Sequence, residues 1–107
     1  MSGGLLALAL LTTAAERPQL ADLAYALGEA HALRQACRGS KDALWRDRMA
    51  AVLRQEKVDH ERRLQLTARF NAGFAAARTG HPECDAGALS DALARAAPLA
   101  RALARPD

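Results

Sequence analysis

The sequence has few aromatic and few β-branched residues, the types that favour β-sheets, and the scarcity of aromatic residues also disfavours an aromatic platform for nucleic acid. Aromatic residues make up 4% of its 107 residues, and the hydrophobic half is mostly alanine and leucine. That composition favours helices, and the length allows one domain with one core. The chain also lacks a glycine-rich phosphate loop, an H-E-x-x-H motif and a visible nucleophile–base pair. The sequence therefore favours a binding protein over an enzyme.

Acidic residues are fewer than basic ones, which leaves a formal net charge of +3. The excess is arginine, since Lys41 and Lys57 are the only lysines. Arginine binds carboxylates and phosphates through paired hydrogen bonds, although an arginine-rich surface also forms without any partner. The arginines are scattered over several predicted helices, and no nucleic-acid partner is expected.

The N-terminal segment has the layout of a signal peptide. Residues 1–15 carry no charged side chain, and a short apolar run spans Leu5–Leu11. Small residues then fit cleavage after Ala14 or Ala15, and the run is too short to cross a membrane. We therefore predict a signal peptide over 1–15 and a single helical domain over 16–107, in a periplasmic or secreted protein. The alternative is that the segment extends the first helix.

The remaining chain predicts an all-α fold, a small up-down four-helix bundle. Apolar residues recur at spacings of three and four. Gly39, and Gly80 followed by Pro82, are stop signals. Short connections make sequential helices antiparallel neighbours. The predicted helices cover about 18–37, 41–57, 60–79 and 86–104.

Capping residues and one proline refine these helices. Ser40, Asp59 and Asp85 are predicted N-caps, and Asp42 suits the positive first turn of the second helix. Pro98 lies inside the fourth helix, where it removes a backbone donor and clashes with the carbonyl four residues earlier. We expect a kink or break there.

Two cysteines predict one disulfide. Cys37 closes the first helix and Cys84 follows the third. In an up-down bundle these helices point the same way, so both sulfurs are expected at the same pole. The bridge closes a loop of nearly fifty residues, for which the chain-entropy model gives about 4 kcal/mol. Free thiols and a redox pair are the alternatives, although there is no CxxC motif.

A zinc site is the other use that these residues suggest. Together with His31 and His81, the two cysteines nominally supply four ligands. Six residues along a helix, however, separate His31 from Cys37 by about 9 Å and about 120°. Zinc requires ligands that converge within about 2.0–2.3 Å, so no metal or other cofactor is predicted.

His31 lies beside the apolar stripe of the first helix. A histidine there is usually partly buried, with its hydrogen bonds satisfied by a neighbour. Glu56 is an acid that can pair with His31, Arg34 or Arg63, and Arg63 is nearest along the chain. We expect His31 to have a structural role, with an unknown hydrogen-bond partner.

The stretch RFNAGF, residues 69–74, contains two residues that are unfavourable inside a helix. In the first interpretation Gly73 lets a neighbouring helix approach, and Asn71 hydrogen-bonds a loop or helix end. In the second, the stretch forms a polar notch for a ligand between aromatic rings.

These motifs together resemble a known family. The pattern LG-x-x-H-x-LR-x-x-C is followed by WR-x-x-M-x-x-x-L-x-x-E, by RR-L with FN-x-GF, and by a distant cysteine. It is similar to a small uncharacterised alphaproteobacterial family of exported proteins, in which two well-separated cysteines suggest a disulfide. The resemblance runs from about Leu20 through Cys84 into the last helix. It implies export and a disulfide, and it implies no activity; Phe74 departs from the tyrosine common in the family. The matching residues are Leu27, Gly28, His31, Leu33, Arg34, Cys37, Trp45, Arg46, Met49, Leu53, Glu56, Arg62, Arg63, Phe70, Asn71, Gly73, Phe74 and Cys84.

Two functional hypotheses follow from the sequence. The first is a periplasmic or envelope interaction module that binds an envelope protein or an anionic envelope component through exposed arginines. The second is a small-ligand-binding protein or enzyme with a pocket near His31, Asn71 or Glu56. No membrane-spanning segment is expected after signal cleavage. The candidate interaction or structural polar residues are His31, Arg34, Trp45, Arg46, Glu56, Arg63 and Asn71, and the arginine patch adds Arg62.

Overall fold

A computed structural model describes residues 18–104 and contains four α-helices. They are α1 (Pro18–Arg38), α2 (Leu44–Gln55), α3 (His60–Gly80) and α4 (Ala86–Ala104). No strand occurs between residues 18 and 104. The predicted all-α four-helix bundle is confirmed, whereas the predicted signal peptide lies outside the described residues.

The first helix is the centre of the bundle. Each of the other three helices packs mainly on α1 and much less on the others. α3 runs parallel to α1, because Gly28 lies against Phe70 and, further along, Cys37 is joined to Cys84. α4 starts beside that bond and returns along α1. The core is therefore built around one helix rather than shared equally among four.

Two glycines allow α1 and α3 to touch backbone to backbone. A Cβ atom on Gly28 would overlap the carbonyl of Phe70, and one on Gly73 would overlap the carbonyl of Tyr25. Nothing larger than hydrogen fits at either position without separating the helices. The first interpretation of Gly73 is thereby confirmed. Arg69 adds a cation–π contact beside this crossing, 4.8 Å from the ring centre of Tyr25.

The buried apolar residues form two clusters along α1. The first surrounds its N-terminal half and includes Leu20, Leu23, Leu27, Met49, Leu53, Leu66 and Phe70. The second surrounds its C-terminal half and includes Ala30, Ala32, Leu33, Ala77 and Ala92. Trp45 packs against both clusters, so α2 spans the boundary between them.

The predicted disulfide is present. The Sγ atoms of Cys37 and Cys84 are 2.05 Å apart, with Cα atoms 4.4 Å apart. Neither cysteine is free. Beside the bond, His81 Nδ1 lies 3.0 Å from Asp85 Oδ2. Asp85 Oδ1 accepts from the Ala88 amide, and this hydrogen bond, helped by His81, lowers the pKa of the Asp85 carboxyl.

The second helix begins three residues later than predicted. Ser40 is not its N-cap, and Asp42 precedes the helix rather than lying in its first turn. Asp42 is held elsewhere, because both its carboxylate oxygens accept from Arg34 Nε at 2.9 Å. Gln35 also donates to the carbonyls of Ser40 and Asp42. The connection after Gly39 is thus tied to α1, and this bonding competes with helix formation.

The ends of the remaining helices follow the predicted capping. Asp59 accepts from the Arg62 amide at the start of α3. Gly39 has a φ of 108°, the left-handed conformation expected just after α1. The fourth helix is continuous through Pro98, so the helix does not break there, and a kink stays a prediction.

Candidate functional site: a cavity between three helices

A cavity of about 360 Å³ lies between α1, α2 and α3. It exists because α2 and α3 both pack on α1 while making few contacts with each other. His31 is the residue that α1 contributes to its wall. The cavity is therefore a cleft between α2 and α3, and α1 forms its floor.

The two outer helices line the cleft with the same pattern. Each contributes residues at i, i+3, i+4 and i+7, which form one face of a helix. From α2 these residues are Arg46, Met49, Ala50 and Leu53, and from α3 they are Thr67, Phe70, Asn71 and Phe74. Most of the lining is apolar, with a few polar groups, as is usual in small-molecule sites.

His31 is buried within this apolar wall. His31 is only 7% exposed. Its ring centre lies 5.6 Å from that of Phe70 and 5.3 Å from that of Phe74. Its Nδ1 atom is buried and has no hydrogen-bond partner among residues 18–104. The expectation that a neighbour satisfies the hydrogen bonds of His31 is therefore not met at Nδ1, and Glu56 does not line the cavity. A buried polar atom without a partner is uncommon and calls for an explanation.

Burial lowers the pKa of His31 below its ordinary value of 6.5. The apolar wall disfavours the charged imidazolium, and the positive charge of Arg46 acts in the same direction. Asp42 and Asp47 oppose this shift without reversing it. The ring is accordingly neutral at pH 7, with one nitrogen able to donate a hydrogen bond and the other able to accept one.

Arg46 is the charged residue of the cavity wall, and it lies at the mouth. Its side chain is 66% exposed. The nearest acid is Asp47, whose Oδ1 atom is 3.8 Å from Arg46 Nε, which is too long for a hydrogen bond. No carboxylate between residues 18 and 104 lines the cavity. The mouth therefore carries a positive charge that the wall does not neutralise.

Asn71 favours the second interpretation of the RFNAGF stretch. Its side chain is exposed, lines the cavity beside Phe70 and Phe74, and forms no hydrogen bond within the described chain. The expectation that Asn71 bonds a loop or helix end is thus not met. An amide next to two aromatic rings instead leaves a polar notch in the apolar wall.

The other candidate residues lie away from the cavity. Arg34 is bound to Asp42. Partial burial acts to raise the pKa of the Asp42 carboxyl, but the hydrogen bonds from Leu44 and Arg34 together leave this pKa lowered. Trp45 is half-buried between the two core clusters, and its buried Nε1 has no partner among the described residues. Glu56 is half-buried beyond the end of α2.

The proposed arginine patch is divided along the bundle. Arg34 and Arg46 lie near the disulfide-bonded end of α1, whereas Arg62 and Arg63 belong to the first turn of α3. Glu56 and Arg63 form no ion pair in the described part of the chain. Arg46 is therefore the arginine that the structure places beside His31 and Asn71.

Neither a metal cluster nor a membrane span is found between residues 18 and 104. No three histidine, cysteine or acidic side chains in this range converge as a metal site requires. No helix there is both long enough and apolar enough to cross a bilayer.

Several lining residues also have the spacing of a buried helix face. Met49 and Leu53 lie on the apolar stripe of α2, and Phe70 and Phe74 lie on that of α3. A stripe shows which face of a helix is turned inward, but it does not show whether the opposing face fills the space. The sequence signal for a cavity is a polar residue within each of the two lining faces, Arg46 in α2 and Asn71 in α3.

The fold and the cavity define a small, disulfide-linked helical protein with a preformed apolar cleft. Residues 16–105 match the model of a family described as protein of unknown function (DUF2385), and the chain belongs to this family. The expected resemblance to an uncharacterised family is confirmed to that extent. No curated protein and no solved structure matches the chain significantly.

Proposed function

We propose that this protein is an exported binding protein that holds a small, largely apolar ligand in the cleft between α2 and α3. The observation that carries the proposal is the cavity of about 360 Å³ in which His31 is buried with an unpartnered Nδ1. Small-molecule sites typically enclose about 300–1,000 Å³ and combine apolar walls with a few polar groups. Both properties are present in this cleft.

The arrangement of the aromatic rings supports a ligand rather than an incomplete core. Phe70 and His31 are buried, while Phe74 is half-buried and Asn71 is exposed at the edge of the same space. Such a gradient from buried rings to an exposed amide gives a ligand an apolar end and a polar end. A packing defect in a native core, by contrast, is usually no larger than a water molecule.

Export is the second part of the proposal. A structural disulfide between Cys37 and Cys84 suits an oxidising compartment, such as the bacterial periplasm. The signal-peptide pattern of residues 1–15 supports the same location. The sequence resemblance to exported alphaproteobacterial proteins agrees with it. We propose that the mature protein is a single helical domain in the cell envelope.

The binding proposal is tested with a neutral fluorescent probe and a variant that fills the cleft. N-phenyl-1-naphthylamine becomes fluorescent in apolar sites, and we expect it to bind the purified protein at one site. Ala50 lines the cavity, so Ala50→Leu should remove most of the fluorescence. It should also raise the free energy of unfolding by about 1 kcal/mol, as cavity-filling changes commonly do.

Ala51→Leu is the matched control, because Ala51 is the next residue of the same helix and is exposed. It should leave both probe binding and stability nearly unchanged. If the wild-type protein does not bind the probe, or if the two variants bind it equally well, the cleft is not a ligand site. In that case the envelope interaction module, acting through its surface, is the better hypothesis.

Export is tested by mass spectrometry of the protein from a periplasmic extract without reductant. We expect a chain that begins after Ala14 or Ala15 and is two mass units lighter than the reduced form, because a disulfide removes two hydrogen atoms. An unprocessed cytosolic chain with two free thiols would overturn this part of the proposal.

A further inference from the structure

The mouth of the cleft has an uneven distribution of charge. Of the residues lining the cavity, Arg46 is permanently charged, His31 is neutral, and none is acidic. Neither nearby acid hydrogen-bonds Arg46, since Asp42 is bound by Arg34 and Asp47 makes only a long ion pair with Arg46, at 3.8 Å. A ligand that entered the cleft would therefore meet one cation without a hydrogen-bonded counter-ion.

We infer that the ligand is an amphiphilic organic acid, whose apolar body lies between the α2 and α3 faces and whose carboxylate binds Arg46. This inference rests on the proposed function and specifies the class of its ligand. Arginine presents its N–H groups as a planar fork that matches both oxygens of a carboxylate. An apolar cation would be repelled at the same place, and a neutral compound would form no ion pair there.

The position of Arg46 along α2 supports this orientation. Arg46 precedes Met49, Ala50 and Leu53 on the same face of the helix, so one end of the cleft is charged while the rest of that wall is apolar. Phe70 and Phe74 provide the opposite wall. A ligand with a single acidic group at one end of an apolar body matches this polarity, whereas a compound that is polar throughout does not.

The guanidinium of Arg46 is free to take this role. Its only ion pair within the described residues is the long contact with Asp47, and both of these side chains are largely exposed. Exposed pairs of this kind contribute little to stability. A ligand carboxylate therefore does not have to displace a strong internal partner, and replacing Arg46 should leave the fold intact.

The inference is tested with two acids and their uncharged amides as probes. 1-Naphthylacetate and 1-naphthylacetamide differ in charge at nearly constant shape, and decanoate and decanamide repeat the comparison with a flexible body. Each of the four compounds is titrated into the protein with bound N-phenyl-1-naphthylamine at pH 7.5, and the loss of fluorescence gives its affinity. We expect the acid of at least one pair to bind about tenfold more tightly than its amide, the effect of roughly one charge-assisted bidentate contact.

Arg46→Gln should abolish the preference for the acid, because it lowers the affinity for the acid much more than the affinity for the amide. Arg48→Gln is the matched control: it removes an arginine of α2 that does not line the cavity, and the preference should persist. Equal binding of acid and amide in both pairs, or a preference that survives Arg46→Gln, overturns the inference while the neutral probe still establishes a binding cleft. Failure of the neutral probe itself would overturn the proposed function as well.

Discussion

The central helix packs differently against α3 and against α2. Against α3, Gly28 and Gly73 bring the two backbones into contact, and the disulfide joins the ends of the same helices. Against α2, the contact is made by side chains and opens into the cavity beside His31. Close packing here depends on glycine, and the space for a ligand appears where α2 and α3 make few contacts with each other.

We call the contact between α1 and α3 the closed side of the bundle, and the side with the cavity the open side. Removing the disulfide should have the largest effect on the free energy of unfolding, because the bond reinforces the closed side. A loop spanning the 47 positions from Cys37 to Cys84 corresponds to about 4 kcal/mol in the chain-entropy model. We expect the double variant Cys37→Ser, Cys84→Ser to lose roughly this amount in urea unfolding. The wild-type protein with reductant is the control and should lose the same amount. A loss below about 1 kcal/mol would mean that the bond adds little to this closed side.

The glycine contact should give the next largest effect. In Gly73→Ala the new methyl group overlaps the carbonyl of Tyr25, so α3 must move away from α1. Overpacking of this kind costs about 3 kcal/mol when backbone has to shift, and we expect a matching fall in the free energy of unfolding. Urea titration monitored by circular dichroism measures it.

Gly80→Ala is the control for this prediction, since it places the same methyl group on the same helix where nothing lies within 4 Å. It should change stability by less than about 1 kcal/mol, and helix propensity favours alanine. Equal effects of the two substitutions would contradict the assignment of Gly73 to a backbone contact.

The closed side was largely predictable from sequence, and the open side was not. Cys37 lies in the last turn of α1 and Cys84 follows the end of α3, and glycine signals mark both of these helix ends, so their shared pole follows from topology alone. Gly73 in a helix interior likewise indicates a close approach, because glycine there is otherwise unfavourable. Both inferences depend on local signals and chain direction.

The cavity depends on the distance between α2 and α3, which no local pattern encodes. The stripes of Met49, Leu53 and Phe70 have the same appearance whether the opposing helix fills the space or leaves it open. The start of α2 differs from its prediction for a similar reason. Asp42 satisfies the rules for a first helical turn, but its tertiary contact with Arg34 holds it outside the helix.

The titration of His31 should have the smallest effect on the free energy of unfolding, and it concerns only the open side, where His31 lines the cavity. Burial, with the charge of Arg46, lowers its pKa below 6.5 in the folded protein. The unfolded chain then binds more protons than the folded one in the interval between the lowered pKa and 6.5. The stability contributed by neutral His31 is therefore fully present above that interval and is lost as the pH falls through it. Asp42 and Asp85 act separately at lower pH, below their ordinary value of 3.8.

Urea unfolding at intervals from pH 8 to pH 5 measures this dependence. We expect the wild-type protein to lose stability as the pH falls below about 6.5, the ordinary histidine value. In His31→Leu that decrease should be absent, whereas His60→Gln, which replaces an exposed histidine at the start of α3, should retain it. A decrease that persists in His31→Leu and disappears in His60→Gln would place the pH-sensitive group at the surface of α3. The apolar wall would then exert no measurable penalty on a charged His31, and the open side would be better hydrated than its lining residues indicate.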